Sequence, residues 1–251
     1  MKKTMLIILA GLSLAFILPE KKKIKIWMCG DSTMSIKETK AYPETGWGMP
    51  FAYFWDTSAV SVMNKAKNGR STKTFITEGI WQSVIDQVEE GDYVFIEFGH
   101  NDESKEKKER YTTLEEYKAN LEKFINETRA KKAIPVLFTP VSRRKFDTDG
   151  HAFETHKEYS AAVREVAIAQ KMPLIDLDKK TMALYEKFGV ENSKLLFLQL
   201  QPGEHPNYPD GKEDNTHYGE LGARLVAQMA LAELKVKFPE LNDMLIKPVK
   251  K

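Results

Sequence analysis

The chain has 251 residues, of which 42% are hydrophobic and 29% charged, so it can bury one substantial core and is predicted to form one domain. Its 38 basic and 36 acidic residues leave a formal charge of only +2, which argues against nucleic acid or an anionic membrane surface as the partner. The single cysteine, Cys29, has no second cysteine with which to form an intrachain disulfide.

The first residues predict a signal peptide. A charged start of Met1, Lys2 and Lys3 is followed by an apolar run over residues 5–18. That run is too short to span a bilayer comfortably, so we expect no stable membrane insertion once the leader is cleaved. Residues 1–20 are therefore predicted to be the leader and residues 21–251 the folded domain, and the protein is predicted to be secreted or periplasmic.

Strands and helices are predicted to alternate along the chain. Short β-rich segments indicate strands over residues 24–28, 59–63, 93–98, 134–139 and 172–175. Apolar residues at helical spacing indicate helices over residues 80–88, 114–129, 159–169 and 221–234. This alternation predicts an α/β fold with three layers, α/β/α, around a central parallel sheet.

Polar motifs follow the ends of the first three predicted strands. Ser32 lies in a Gly-Asp-Ser-Thr motif after the first strand, where we expect a strand-to-helix turn, and Gly69 and Asn101 follow the next two. Ligands of open α/β sheets bind outside the carboxyl ends of the strands. The sequence therefore predicts that these three residues converge on one rim of the sheet.

These residue types can perform nucleophilic catalysis. A serine hydroxyl needs a base at neutral pH, and His217 is the best candidate because Asp214, three residues earlier, can orient the imidazole if both lie on one turn. The backbone N–H groups of Ser32 and Gly69 and the side-chain amide of Asn101 are candidate donors to an oxyanion. We therefore predict Ser32, Asp214 and His217 as catalytic residues, and Ser32, Gly69 and Asn101 as the oxyanion hole.

Each motif also has a purely structural interpretation. Ser32 could cap a helix, and His217 could be a surface residue at a helix start. The Asn-Gly pair at residues 68–69 is an ordinary turn signal, and the Asn-Asp pair at residues 101–102 could cap the next segment. Asp31 is expected to support a turn or cap a helix, since adjacent residues at a strand end point in different directions.

Two further alternatives concern the base and a metal. His100 is the rival base, although no carboxylate stands at similarly close spacing before it. Asp214 and His217 could instead be metal ligands, but they form no recognised zinc spacing with the remaining histidines, His151, His156 and His205. We therefore expect neither a metal nor a cofactor.

The motifs resemble those of a known hydrolase superfamily. Ser32, Gly69, Asn101 and His217 match the four signature residues of the GDSL, or SGNH, hydrolases, although the first motif ends in threonine rather than leucine. Further segments resemble the rhamnogalacturonan acetylesterase branch, and they cover residues 44–48, 64–72, 91–102, 139–144 and 214–217. The resemblance covers nearly all of the chain after the leader.

This resemblance implies a flavodoxin-like SGNH hydrolase fold and deacetylation of pectic rhamnogalacturonan through an acetyl-serine intermediate, without a metal. The partner is then an acetylated polysaccharide or oligosaccharide. An esterase or thioesterase acting on another acetylated sugar or a lipid is the alternative within the same fold, and a noncatalytic polysaccharide-binding protein is the alternative outside enzymes. Five residues are weaker candidates for sugar or uronate contacts: Trp47, Trp81, Arg70, Arg143 and Arg144. By default we expect the tryptophans in the core and the arginines in solvent.

Overall fold

A parallel sheet lies at the centre of the computed structural model, which describes residues 23–247, so that the predicted leader lies outside the described residues. Its strands are β1 (Ile24–Gly30), β2 (Val60–Asn64), β3 (Tyr93–Glu97), β4 (Ile134–Phe138) and β5 (Leu174–Ile175). They are parallel in the order β2–β1–β3–β4–β5. This is the strand order of flavodoxin-like, doubly wound sheets.

Helices cover both faces of this sheet. They are α1 (Gly48–Phe51), α2 (Thr72–Thr77), α3 (Ile80–Ile85), α4 (Leu114–Ala130), α5 (Lys157–Ala169), α6 (Leu177–Asn192) and α7 (Glu220–Lys237). Helices α2 and α4 begin at capping boxes, in which the Ser71 and Thr113 hydroxyls accept from backbone N–H groups inside the helix. These side-chain contacts fix where each helix starts.

The sheet separates two hydrophobic cores. Side chains of β1 alternate between them: Ile26 and Met28 face the core shared with α1, α6 and α7, while Trp27 and Cys29 face the core shared with α2 to α5. Every residue of β3 is buried, as its apolar sequence predicts for a strand covered on both faces. The predicted three-layer α/β/α architecture is therefore confirmed.

The structure contains elements that the sequence did not predict, among them the short helices α1 and α2. Helix α6 was not predicted, because its apolar residues are poorly confined to one side of the helix and Gly189, at φ 75°, interrupts its helical backbone. An antiparallel hairpin of β6 (Phe197–Leu200) and β7 (Lys212–Tyr218), which was also not predicted, precedes α7. Because β7 is mostly polar and partly exposed, it lacks the hydrophobic alternation by which a strand is recognised.

Candidate active site

The site lies where the strand order of the sheet reverses. From β1 the chain crosses to β2 on one side, and β3 then returns to the other side of β1. Such a switch point leaves a crevice beyond the carboxyl ends of the two central strands. Ser32 follows β1 and Asn101 follows β3, so both residues lie at this crevice, as predicted from the sequence.

Ser32 stands on a tight turn whose support comes from Asp31. The Asp31 Oδ1 atom accepts hydrogen bonds from the backbone N–H and the hydroxyl of Thr33, both at 2.9 Å. The prediction that Asp31 supports a turn is therefore consistent with these contacts. Burial, the strongest influence, raises the pKa of this fully buried carboxyl, although the Thr33 donors oppose the shift.

The predicted strand-to-helix turn is wrong, because no helix follows Ser32 directly. A helix would need the carbonyls of Thr33 and Met34 for its own N–H groups four residues later. These carbonyls instead accept from Trp47 at 2.8 Å and Gly48 at 3.2 Å. The chain after Ser32 is therefore held against the segment that begins α1, and the helix-cap interpretation of Ser32 does not apply.

Ser32, His217 and Asp214 form a continuous chain of hydrogen bonds. The Ser32 Oγ atom lies 2.9 Å from His217 Nε2, across 185 residues of sequence, and His217 Nδ1 lies 2.8 Å from Asp214 Oδ2. An ionised carboxylate only accepts hydrogen bonds, so Nδ1 carries the proton in the neutral ring and Nε2 is left to accept the Ser32 hydroxyl. This arrangement can withdraw a proton from serine during attack on a carbonyl.

Asp214 is held as a carboxylate. Burial opposes the ionisation of Asp214. Stronger opposite effects come from hydrogen bonds donated by the His217 side chain and by the backbone N–H groups of His217 and Thr216, and from the charge of the imidazole. Together they keep the Asp214 pKa below its usual range. The Asp214 side chain is 17% exposed. The carboxylate is thus available to stabilise a positive charge on the imidazole ring.

The conformation that joins Asp214 to His217 differs from the predicted turn, because both residues lie in β7. In a regular strand, residues three apart would be separated by about 10 Å and point to opposite faces. Here the Asp214 Oδ1 atom accepts from Thr216 N at 2.7 Å and from His217 N at 2.9 Å, and the pairing of β7 with β6 is irregular. This local distortion brings the two side chains together.

The candidate oxyanion donors lie around the same crevice. Within residues 23–247, the backbone N–H groups of Ser32 and Gly69 donate to no protein acceptor. Gly69 has a φ of 77°, a conformation that favours glycine, and it forms the turn predicted as the alternative. One hydrogen of the Asn101 amide binds the Arg70 carbonyl at 2.9 Å, which leaves its second hydrogen available.

A sequence model of the GDSL-like lipase/acylhydrolase family matches residues 28–225, which include Ser32, Gly69, Asn101 and His217. The chain belongs to this family. This membership confirms the resemblance identified from the sequence motifs and the prediction that the protein is an ester hydrolase.

Two relatives from Bacillus subtilis (strain 168) resemble this GDSL-family chain over most of its length. It is 41% identical over 226 residues to the rhamnogalacturonan acetylesterase RhgT, an alignment that covers 90% of this chain and 96% of RhgT. It is 33% identical over 223 residues to the probable rhamnogalacturonan acetylesterase YesY, which covers 88% of this chain and 97% of YesY. The resemblance therefore includes nearly the whole of each relative.

Solved structures of related proteins share the fold. The crystal structure of YxiM from Bacillus subtilis superposes with a TM-score of 0.73 at 26% identity, covering 86% of this chain and 57% of the YxiM chain. An acetylxylan esterase from Geobacillus stearothermophilus, Axe2, superposes with a TM-score of 0.55 at 17% identity, covering 86% of this chain and 96% of that one. The second likeness concerns the fold alone.

Residues 101–102 do not cap the next segment, contrary to the structural alternative, because α4 is capped by Thr113 and Asp102 bonds to the start of α2. The buried Asp102 carboxylate accepts from the backbone N–H of Thr72, at 3.0 Å, and from the Thr72 and Thr112 hydroxyls. Thr72 is the first residue of α2, so Asp102 caps a helix that precedes it in sequence. Asn101 is left free to face the crevice, and its turn is anchored to α2.

His100, the rival base, is not the histidine that meets Ser32. Its ring is 4% exposed and packs against that of His156, with ring centroids 4.1 Å apart. Burial, followed by the charges of His156 and Arg143, lowers the His100 pKa well below its usual range. His156 in turn hydrogen-bonds to Glu103. The two histidines are therefore buried against each other, and Glu103 is partly exposed beside them.

The weaker sugar-contact candidates divide between the core and the surface. Trp47 and Trp81 are buried, which agrees with their default interpretation as core residues. Arg70 pairs with Glu78, while Arg143 donates to the Thr216 hydroxyl at 2.6 Å and Arg144 to Asn215 at 2.9 Å. Arg143 and Arg144 therefore contact the strand that carries His217.

Three ionisable side chains that contact residues of the site or lie near them were not predicted from the sequence: Lys37, Glu44 and Glu97. Lys37 and Glu44 lie in a charged, polar segment that reads as solvent-exposed, and no local pattern distinguishes them from their neighbours. Glu97 carries a usable signal, since it is the one acidic residue in an otherwise apolar strand. It accepts hydrogen bonds from Trp47 Nε1 at 2.8 Å, Val141 N at 3.3 Å and Thr33 Oγ1 at 3.3 Å.

Neither a membrane-spanning helix nor a metal-binding cluster occurs in the described part of the chain. No helix within residues 23–247 is long and apolar enough to cross a membrane. In that range, no cluster of three or more histidine, cysteine, aspartate or glutamate side chains is placed to hold a metal ion. The absence of a metal from the chemistry stays a prediction.

Glu97 provides a prediction about stability. Burial and, secondarily, the charge of Asp31 raise the Glu97 pKa from 4.5 to about 8. The folded state therefore binds more protons than the unfolded state between these pH values, and stability should fall as pH rises through that window, by at most about 1.4 kcal/mol per pH unit for one group. Urea unfolding of Glu97→Gln at pH 5 to 8 should show a flatter pH dependence.

The exposed Glu106 offers the matched control, because Glu106→Gln should retain the parental pH dependence. Glu97→Gln should also be less stable overall, since an amide cannot accept from all three donors. A parental pH dependence in Glu97→Gln would show that Glu97 does not hold a proton in the folded protein.

Proposed function

We propose that this chain is a carbohydrate O-acetylesterase that removes acetyl groups from pectic rhamnogalacturonan through an acetyl-serine intermediate at Ser32. The observation that carries the proposal is the hydrogen-bonded series from Ser32 Oγ through His217 to Asp214, at 2.9 and 2.8 Å. The carbohydrate and the acetyl group are supported by the similarity to RhgT and YesY, whose names describe rhamnogalacturonan acetylesterases.

The first half of the reaction acetylates the enzyme. Ser32 Oγ attacks the acetyl carbonyl carbon while His217 Nε2 takes the hydroxyl proton, and Asp214 stabilises the resulting imidazolium. The carbonyl oxygen becomes an oxyanion that accepts from the backbone N–H groups of Ser32 and Gly69 and from the Asn101 amide. Collapse breaks the ester bond, and the departing sugar oxygen takes the proton from Nε2.

The second half restores the enzyme. Water attacks the acetyl carbon of Ser32 while His217 Nε2 accepts a proton from it, and the same three donors hold the second oxyanion. Collapse breaks the bond between the acetyl group and Ser32 Oγ, which takes back the proton from Nε2. Acetate leaves, and the hydroxyl and the imidazole return to their starting states.

The limited access to Ser32 supports a substrate with a small acyl group. Ser32 is 8% exposed and Asn101 is 7% exposed, so the carbonyl of the substrate must enter a confined space to reach both. An acetyl group meets this requirement with one methyl group to place beside the reacting carbon. The leader predicted over residues 1–20 supports action outside the cytoplasm, where pectic polymers are met.

Replacing the nucleophile tests the mechanism. Ser32→Ala should fold normally and lose acetate release from rhamnogalacturonan almost completely, because no other hydroxyl within residues 23–247 is hydrogen-bonded to His217 Nε2. Acetate release, measured enzymatically, should be compared for the parent and Ser32→Ala on rhamnogalacturonan, homogalacturonan, xylan and short and long nitrophenyl esters. Matching circular dichroism spectra provide the folding control.

The substrate panel separates the alternatives. Hydrolysis of rhamnogalacturonan well above the other polymers supports the proposal, and preference for xylan or long acyl chains would reassign the substrate while retaining the chemistry. Parental activity in Ser32→Ala would refute the nucleophile. Binding of polysaccharide without hydrolysis of any ester would favour the noncatalytic alternative.

Asn101→Ala should lower kcat about 100- to 1000-fold with a smaller change in KM, because the lost donor acts on charge that develops only in the transition state. The matched control is Asn207→Ala, since the exposed Asn207 amide also donates to backbone carbonyls, those of Thr39 and Tyr42. Parental kcat in Asn101→Ala, with the control unchanged, would remove Asn101 from the oxyanion hole.

A further inference from the structure

A buried lysine lies directly behind the nucleophile. The Lys37 side chain has no exposed surface, and its Nζ atom contacts the Ser32 carbonyl oxygen, Asn68 Oδ1 at 2.9 Å and Glu44 Oε1 at 2.7 Å. A buried ammonium group is unfavourable unless it is paired and hydrogen-bonded. All three partners of Lys37 belong to segments that form the candidate active site.

The first consequence is that one side chain joins two turns. The Ser32 carbonyl belongs to the turn that presents the nucleophile, and Asn68 immediately precedes Gly69, the second candidate oxyanion donor. The Ser35 hydroxyl lies within hydrogen-bond distance of the same two acceptors, 3.3 Å from the Ser32 carbonyl oxygen and 2.6 Å from Asn68 Oδ1, and can donate its single proton to either. Lys37 therefore fixes the distance between two backbone N–H groups that must converge on one oxyanion.

The second consequence concerns a carboxylate near the base. Glu44 is 12% exposed, and its Oε1 atom lies 4.0 Å from His217 Nε2, the nitrogen that meets Ser32. A carboxylate at this distance stabilises an imidazolium before any reaction and so removes the base from its active, neutral form. In the structure, the Lys37 ammonium is closer to Glu44 Oε1 than His217 is, and it offsets that charge.

Other ionisable groups also face this region. Asp214 lies on the opposite side of the ring, Asp31 and His100 interact electrostatically with His217, Tyr208 lies near Glu44 and Asp214, and Arg143 binds the neighbouring Thr216. A substitution at Lys37 leaves these side chains in place, and although the Lys37 charge also acts on Asp31 and Asp214, that effect does not depend on Glu44. A change in pH dependence that requires Glu44 can therefore be assigned to the charge left uncovered.

We propose that Lys37 is a positioning residue of the esterase, which ties the Ser32 turn to the Asn68–Gly69 turn and shields His217 from the Glu44 carboxylate. This inference rests on the proposed esterase chemistry but not on the identity of the polysaccharide. It assigns two separable effects to one ammonium group: the geometry of the oxyanion donors sets the rate, and the neutralisation of Glu44 sets the pH at which the base is active.

The test uses the full-length protein and nitrophenyl acetate, a probe that does not depend on the natural polymer. Lys37→Met keeps an unbranched side chain without the charge. It should lower kcat about 10- to 100-fold, since small displacements of reacting groups have effects of this size. The acid limb of the kcat/KM profile should move to higher pH by about one unit, because Glu44 then faces the imidazole without a counter-ion.

A double variant separates the two effects. In Lys37→Met combined with Glu44→Gln, the acid limb should return to its parental position while kcat remains low, because the link between the turns is still missing. The matched control is Lys40→Met, since Lys40 lies on the same segment but is 83% exposed and pairs with Glu38. It should keep parental kcat and pH dependence.

Folding is followed by circular dichroism and urea unfolding. If Lys37→Met does not fold, the double variant takes its place, because it leaves no unpaired carboxylate. It is then compared with Lys37→Arg, which retains the charge and should keep the parental acid limb. Parental kcat in folded Lys37→Met or in the double variant, or a shifted acid limb that persists in the double variant, would overturn the proposal. Ser32→Ala is measured alongside as a control for the esterase mechanism. Parental activity in Ser32→Ala would show that the mechanism itself is wrong, whatever the Lys37 variants do.

Discussion

The hydrogen bond between Ser32 Oγ and His217 Nε2 is the interaction on which the rest of the site depends. It joins the turn after the first strand of the sheet to the strand β7, 185 residues later. A flexible chain would hold two such distant groups at 2.9 Å only rarely, because ordering each residue costs conformational entropy. The fold maintains the contact: β1 lies between β2 and β3 in the sheet, and β7 leads directly into α7, which is packed against one of the two cores.

Three buried or largely buried aspartates around the site maintain this contact. Asp31 shapes the turn that presents Ser32, Asp102 anchors the turn of Asn101 to the start of α2, and Asp214 bends β7 so that its own carboxylate meets His217. Each carboxylate is wholly or largely buried and accepts hydrogen bonds from backbone N–H groups. The site is therefore preorganised, with donors and acceptors fixed before a substrate arrives.

The sheet and the reacting groups could be predicted from the sequence, but most of the contacts that hold those groups in place could not. Apolar runs such as that of β3 identify a strand buried on both faces, and residues that follow strand ends meet at a switch point, so the convergence of Ser32 and Asn101 could be predicted. The contact between Asp214 and His217 was predicted with the wrong backbone, because a distorted strand and a turn share the same residue spacing. Lys37 and Glu44 were not predictable, since their burial arises from packing between segments that are distant in sequence or irregular in structure.

Labelling with a serine-directed phosphonate, followed by peptide mapping at several pH values, tests the central contact most directly. If His217 activates Ser32, the parent should carry one phosphonate on the peptide that contains Ser32, and the rate of labelling should fall as His217 becomes protonated or is replaced in His217→Ala. A phosphonate on a different residue, or labelling of Ser32 at the same rate in His217→Ala, would contradict the account.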